Sequence, residues 1–184
     1  LISAVQATLG EKKMKKLLLA FMLALGLTGT AATVSAQEMD PAMMQAMVQQ
    51  SIQKWKIDDG VSVQDAIDSM QLRANLLNFM QVADLPLSEQ VRAMGQENVP
   101  YMRILAFCDA LIANEMVKFD IIFSGFLPCR IAVVEDENGD GWITTMNMDM
   151  MLHAVELSPE LEPLARRVRD VIYEIVEAGV TGDF

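Results

Sequence analysis

The chain has one histidine, His153, only two cysteines, and 14 basic against 25 acidic side chains in 184 residues. Each scarcity removes a class of function. With a single histidine and no convincing serine or cysteine motif to partner it, no nucleophile is paired with a base, so triad-type hydrolysis is not supported. Cys108 and Cys129 form no Cys-x-x-Cys, which removes a thioredoxin-type exchange motif, and no Cys-x-x-Cys-His is present for covalent c-type haem. The deficit of positive charge repels phosphate backbones, so no nucleic acid is expected as a partner. Paired carboxylates are too abundant in so acidic a chain to point to any chemistry.

A long apolar run is missing too. Leu17 to Leu27 is too short to span a bilayer. It follows Met14-Lys15-Lys16 and precedes Val34-Ser35-Ala36, a small-x-small cleavage site, so residues 14–36 are expected as a secretory signal peptide and Gln37 as the mature start. Residues 1–13 lack an initiator Met and are expected to be an untranslated upstream region, with Gly10-Glu11 as the codons of a ribosome-binding purine stretch. No cysteine lies near the cleavage site, so lipid anchoring is not expected. The expectation is a soluble exported protein, periplasmic in a Gram-negative source and not membrane-spanning after signal cleavage. Removing Lys12, Lys13, Lys15, Lys16 and Glu11 leaves 10 basic and 24 acidic side chains, a net charge of −14. Such a surface suits a basic protein partner, a cation, or solubility alone.

What is present is organised around Tyr101 to Glu135, which holds both cysteines. Met102, Ile104 and Ala106 alternate with Arg103, Leu105 and Phe107, and Arg130 to Glu135 is a compact apolar run, so both are expected as strands. Between them Asp109 caps a predicted helix with Leu111, Ile112, Glu115, Met116 and Phe119 at helical spacing, stopped by Gly125 and Pro128. This order brings the two sulfurs to the same end of neighbouring strands. In an exported chain such a pair most often forms one disulfide, here closing a loop of about 20 residues and worth roughly 3 kcal/mol. Redox activity, metal ligation and free thiols are the alternatives.

The flanks are mainly helical. Asp40 to Lys56 is expected as one helix, with Asp40 as its cap, Pro41 in its first turn, and Met43, Met44, Met47, Val48 and Ile52 on an apolar side. That side would dock on the domain or on a second subunit, while a Met-rich exported segment also suits Cu(I). After Asp58-Asp59-Gly60, Ser62 and Asp65 form a capping box for an amphipathic helix through Ala66, Ile67, Met70, Leu72, Ala74, Leu76 and Leu77, ended by Asn78. Phe79 to Ala83 is expected as a strand, and Glu89 to Met94 as a short helix stopped by Gly95. Ser158-Pro159-Glu160 opens a long helix through Leu164, Val168, Val171, Ile172, Ile175 and Val176 to Gly179. Arg166, Arg167 and Arg169 are expected on its solvated side, paired with Glu residues, and Val180 to Phe184 as a loose tail.

Two further clusters carry chemistry. Asp136, Asn138 and Asp140, with Gly141 and Ile143, spell much of a calcium loop, but Asn147 stands where a bidentate Glu is needed and the preceding residues are strand-like. Asn138-Gly139 between two β-type runs is therefore expected as a hairpin turn, both positions tolerating positive φ, with adventitious calcium as the other use. Met146, Met148, Met150, Met151 and His153 form the second cluster. If Asn147 caps a helix, Met150 and His153 share a face and could ligate copper or supply an axial haem ligand. Packing is the competing role, because Met is frequent throughout the chain.

Pro100-Tyr101 through Ile104-Leu105, then Cys108, and later Leu127-Pro128-Cys129 followed by Ile131 and Val133, together resemble the family catalogued as domain of unknown function 302. The likeness runs from about Asp58 to Ala178. Members often carry Asn-Pro after the first cysteine, where this chain has Asp109-Ala110. The resemblance implies a single α+β domain of the TATA-binding-protein-like kind, a curved antiparallel sheet of about four or five strands with helices on one face, and it implies no activity. The N-terminal Met-rich helix, 37–57, is an addition to the family domain, 58–179, and 180–184 is a tail. Open sheet edges and the resemblance also point to a homodimer.

The expected function is that of a non-enzymatic exported binding or accessory protein. It would enclose a small apolar ligand, a soft metal or a partner protein near Cys108 and Cys129. The alternative is a thiol-disulfide redox protein, or one binding copper or haem through Cys108, Cys129 and the cluster at His153. N-terminal sequencing of the exported protein is expected to return Gln37; Leu1 or Met14 would refute the signal assignment.

Overall fold

The computed structural model describes residues 40–183. The upstream region, the signal peptide and the mature start at Gln37 lie outside the described residues, as does Phe184. Helix α1, Pro41–Gln50, is capped as expected: the Asp40 carboxylate accepts from Ala42 N at 3.0 Å. It ends at Gln50, however, and Ile52–Lys56 is strand β1, not the rest of that helix. The physical reason is a change of period. Gln53 and Trp55 turn inward between exposed Ile52, Lys54 and Lys56, an alternation of two that the methionines upstream mask at the sequence level.

Helix α2, Val63–Leu76, begins with the full capping box of Ser62 and Asp65. It ends as expected at Asn78, which adopts a positive φ of 57°. Phe79 N then donates to Ala74 O at 2.8 Å and Asn78 N to Asn75 O at 3.1 Å, a Schellman closure that aims Phe79 into the core. Strand β2, Met80–Leu85, and the short helix α3, Leu87–Ala93, lead into β3, Met102–Cys108. Helix α4, Ala110–Phe119, and a 3₁₀ turn, Ile121–Gly125, separate it from β4, Cys129–Glu135. Strand β5, Gly141–Met146, helix α5, Met148–Ala154, and helix α6, Glu162–Thr181, complete the chain.

The five strands form one antiparallel sheet in the order β1-β5-β4-β3-β2. Opposed residues share a face. Leu105, Ile131 and Thr145 form one row, and Val133 and Ile143 belong to the next; all five are buried, whereas Ala132 and Val134 between them are only half-buried. The buried face packs against Ile67, Met70 and Ala74 of α2 and Val171, Ile172, Ile175 and Val176 of α6. The α+β fold, one sheet with helices against a buried face, is thus as expected.

Three local expectations change. Helix α6 starts at Glu162, four residues beyond Ser158, with Pro163 in its first turn, because Ser158 O instead accepts from Leu161 N and Glu162 N in a preceding turn. It runs through Gly179 to Thr181, and Gly182, at φ 72°, supplies the left-handed cap. The tail is therefore not loose as far as it is described: Val180 O accepts from Asp58 N at 2.9 Å, and Gly182 packs on Val61. The hairpin between β4 and β5 is present, but of its two expected turn residues only Gly139 has positive φ. Asp136 spreads the turn over five residues by accepting from the Asn138 and Asp140 amides at 2.9 and 3.0 Å and from Trp142 Nε1 at 3.0 Å.

The arginines of α6 find mixed partners. Arg166 pairs with Glu162, but Arg169 pairs with Asp149 and Asp170, and Arg167 donates to Leu77 O. Among the described glycines the least room lies at Gly179, where an added Cβ would stand 2.6 Å from Met70 Cγ and 2.8 Å from Ile143 Cδ1. Gly179→Ala should therefore destabilise the domain by roughly 1–3 kcal/mol through overpacking, in spite of alanine's higher helix propensity. Urea unfolding checks this, and a variant as stable as the parent would contradict the packing described.

Candidate functional site

At the end of the sheet where β3 finishes and β4 begins, the buried face is not filled. A cavity of about 80 Å³ lies there. Cys108, Cys129, Thr145 and Met146 line it from the sheet, α4 and the 3₁₀ turn form its roof, and α5 with the start of α6 its sides. Local sequence dictates the roof. Asp109 Oδ1 accepts from Leu111 N at 3.0 Å and Ile112 N at 3.2 Å, so α4 begins directly after Cys108 and folds back over the strand ends. Ile112 and Met116, one turn apart, face the cavity. Leu111, placed with them by helical spacing, is instead 81% exposed.

The side wall is fixed by hydrogen bonds rather than by length. Asn147 caps α5 by accepting from Met150 N at 3.0 Å and donates through its amide to Gln50 O at 3.0 Å. Tyr173 of α6 receives the Met148 and Asp149 amides on its hydroxyl at 3.0 and 3.3 Å, while its ring packs on Trp55. Two polar groups of the wall are already engaged. Thr145 Oγ1 donates to Arg130 O at 2.6 Å, and the Asp109 carboxylate caps α4. The exposed interior is consequently almost wholly carbon and sulfur.

The two cysteines do meet at one end of neighbouring strands, but as free thiols, not as the expected disulfide. The register accounts for this. Cys129 lies opposite Phe107, so Cys108 is one residue out of step and pairs with Met80 on its other side. Burial pushes the Cys129 thiol from its ordinary 9.0 up to about 11, with Cys108 adding to the rise and Arg130 opposing it. Burial and the nearby Asp109 also raise Cys108. Both are thus protonated at neutral pH, which makes them slow nucleophiles.

Of the other residues singled out by sequence, Met146, Met148 and Met151 line the cavity. Met150 and His153 are not among its walls; His153 is exposed, its Nδ1 2.6 Å from Asp149 O. Asp136, Asn138 and Asp140 sit in the hairpin before Gly141, at the opposite end of β5, between two strands and not between two helices. There Asp140 pairs with Lys56 at 3.0 Å. Met116 was legible only as a helical position, since spacing does not distinguish a cavity wall from a packed core. No group of three or more His, Cys, Asp or Glu side chains gathers to hold a metal among the described residues, and none of their helices is long and apolar enough to cross a membrane.

The thiol environments give a direct test. A neutral alkylating reagent should modify half-exposed Cys108 first, and buried Cys129 only as pH rises towards about 11. Because the unfolded thiol loses its proton near 9.0 and the folded one near 11, the unfolded chain holds fewer protons in that window, so stability should fall as pH rises through it. Equal, rapid alkylation of both residues at neutral pH would refute the burial described.

The sequence matches the family described as "Domain of unknown function DUF302" over residues 53–179. Among solved structures it is similar to the crystal structure of an uncharacterized conserved protein DUF302 from Bacillus stearothermophilus, with a TM-score of 0.57 and 17% identity, covering 70% of this chain and 97% of that one. No curated protein matches. At that identity the likeness speaks for the fold alone, whereas the sequence match spans most of the chain and includes both cysteines and all of the five strands except Ile52. The chain belongs to the DUF302 family.

Proposed function

We propose that this protein is an exported, non-enzymatic binding module that holds a small apolar guest in the cavity between the sheet end and its roof. The observation that carries the reading is the cavity itself, walled mostly by apolar side chains, with the Thr145 hydroxyl and Asp109 Oδ1 already hydrogen-bonded. At about 80 Å³ it is smaller than the roughly 150 Å³ apolar cavity that accepts benzene. A guest of that size or larger needs the roof to yield.

The roof is built to yield. Helix α4 and the 3₁₀ turn pack chiefly on each other and only sparsely on the rest of the domain, and weakly attached segments open at a lower cost than the core. Its outer surface is also apolar: Leu111, Ile121 and Ile122 are 81%, 76% and 62% exposed. A roof apolar on both sides suits a guest, or a partner carrying one, that avoids water. Export rests on the signal-like segment 14–36, and a basic or apolar exported partner remains part of this reading.

The test is saturable binding of a small fluorescent apolar probe such as N-phenyl-1-naphthylamine to the full chain. Ala113→Phe, which grows a ring from the roof into the cavity, should weaken it by at least about tenfold, or about 1.4 kcal/mol, while leaving the fold intact by circular dichroism. Leu111→Ser, on the outside of the same helix, should leave it unchanged. No saturable binding, or equal binding by Ala113→Phe, would overturn the proposal.

A further inference from the structure

The sheet has a second face, and its middle lacks the polarity of a surface turned to water. By the strand register, Met102 and Ile104 of β3, Ala132 and Val134 of β4, and Trp142 and Met146 of β5 share the side opposite to Leu105, Ile131 and Ile143. An antiparallel sheet with one covered face ordinarily places polar residues on the other. Here α2 and α6 pack on the Leu105 side, yet the far side is apolar through its centre. Ala132, midway along the middle strand of the five, marks that centre. Charge is confined to the margins: Lys54 and Lys56 on edge strand β1, and Arg130 near the start of β4. No strand places a carboxylate on this face. Asp84 and Glu135, the acidic residues of the strands, fall in register with Leu105 and Gly141 on the other side.

We propose that this face is the interface of a homodimer, in which a second copy of the chain packs sheet against sheet. Its size suits a second copy. The five strands are five to seven residues long; at about 4.8 Å between strands and about 3.3 Å per residue they present roughly 24 by 20 Å. Two such faces bury about 1,000 Å² even before the relief of the side chains is counted, the area at which a contact becomes specific. An apolar centre with a charged rim is the anatomy of a protein interface, and the small side chain of Ala132 lets two sheets approach at the middle. Charge selects the occupant. Lys54 and Arg130 make no ion pair among the described residues, and Lys54 lies instead over the Trp142 ring, 4.7 Å from its centroid. A second copy supplies the carboxylates they lack, because the chain carries 25 acidic against 14 basic side chains. The open sheet edges would join two copies into one continuous sheet, whereas this arrangement leaves β1 and β2 free.

The experiment is sedimentation equilibrium of the purified protein over a wide range of concentration, paired with hydroxyl-radical footprinting of the same samples. The mass should be twice that of one chain and fall towards the single-chain value only on dilution. As the dimer forms, Met102 and Trp142 should lose reactivity, while Met43 and Met44 on α1, both exposed in the single chain, should keep theirs. Ala132→Glu, which sets an unpaired carboxylate from each copy at the centre of the contact, should weaken association by at least about a hundredfold with the circular dichroism unchanged. Ile122→Ser, on the roof, should leave association as it was. A single-chain mass at every concentration would overturn the proposal. So would a dimer that survives Ala132→Glu, a dimer lost in Ile122→Ser, or protection that never reaches Met102 and Trp142. The footprint is read on the unaltered protein, so it decides the case even where Ala132→Glu fails to fold.

Discussion

One face of a five-stranded sheet has to be kept from water, and the two long helices do not cover all of it. That shortfall organises the domain. Helices α2 and α6 close over Leu105, Ile131, Val133 and Ile143, with Gly179 allowing α6 to lie against Met70 and Ile143. Towards the junction of β3 and β4 the C-terminal half of α6 gives way to Ala165 and Val168, and shorter pieces must finish the cover. Helix α4, the 3₁₀ turn and α5 do so, but they enclose space instead of filling it. Burial at roughly 25 cal/mol per Å² of apolar surface rewards even this imperfect roof, which is how a cavity arises without any strained element.

The sequence carried the parts whose signals are local. Strands β3 and β4, the Asp109 cap, the Ser62 and Asp65 box and the Asn78 stop each depend on a few neighbouring residues and are where they were expected. Strand β1 was hidden because two periods abut within one run: methionines at helical spacing, then a five-residue alternation ending in Lys56. The end of α6 was misplaced for a related reason. Gly179 looked like a stop, but its role is to admit Met70, a contact 109 positions away in the chain.

The candidate site was half legible. The two cysteines were placed together by strand order alone, and three of the five residues in the cluster ending at His153 do reach the cavity. Whether the sulfurs bond is decided by a one-residue offset in strand register, which no spacing in the sequence encodes. Met116 joins them only because α4 folds back over the sheet, a tertiary event. The calcium-like residues illustrate the reverse case: a pattern for which the hairpin finds a different use, with Asp136 holding the turn and Trp142, and Asp140 holding Lys56.

Strand β5 also sets the polarity of the molecule. It runs from Gly141, packed against Ile57, to Met146 in the cavity wall, and Asn147 beyond it binds Gln50 and Ser51. Gln50 and Ser51, where α1 passes into β1, therefore belong to the cavity end of the sheet. Residues 180–182 are pinned at the other end, beside Asp58 and Val61. Anything tethered after α6 therefore leaves from the end of the sheet opposite the cavity. A dye or a bead joined there leaves the roof free to work.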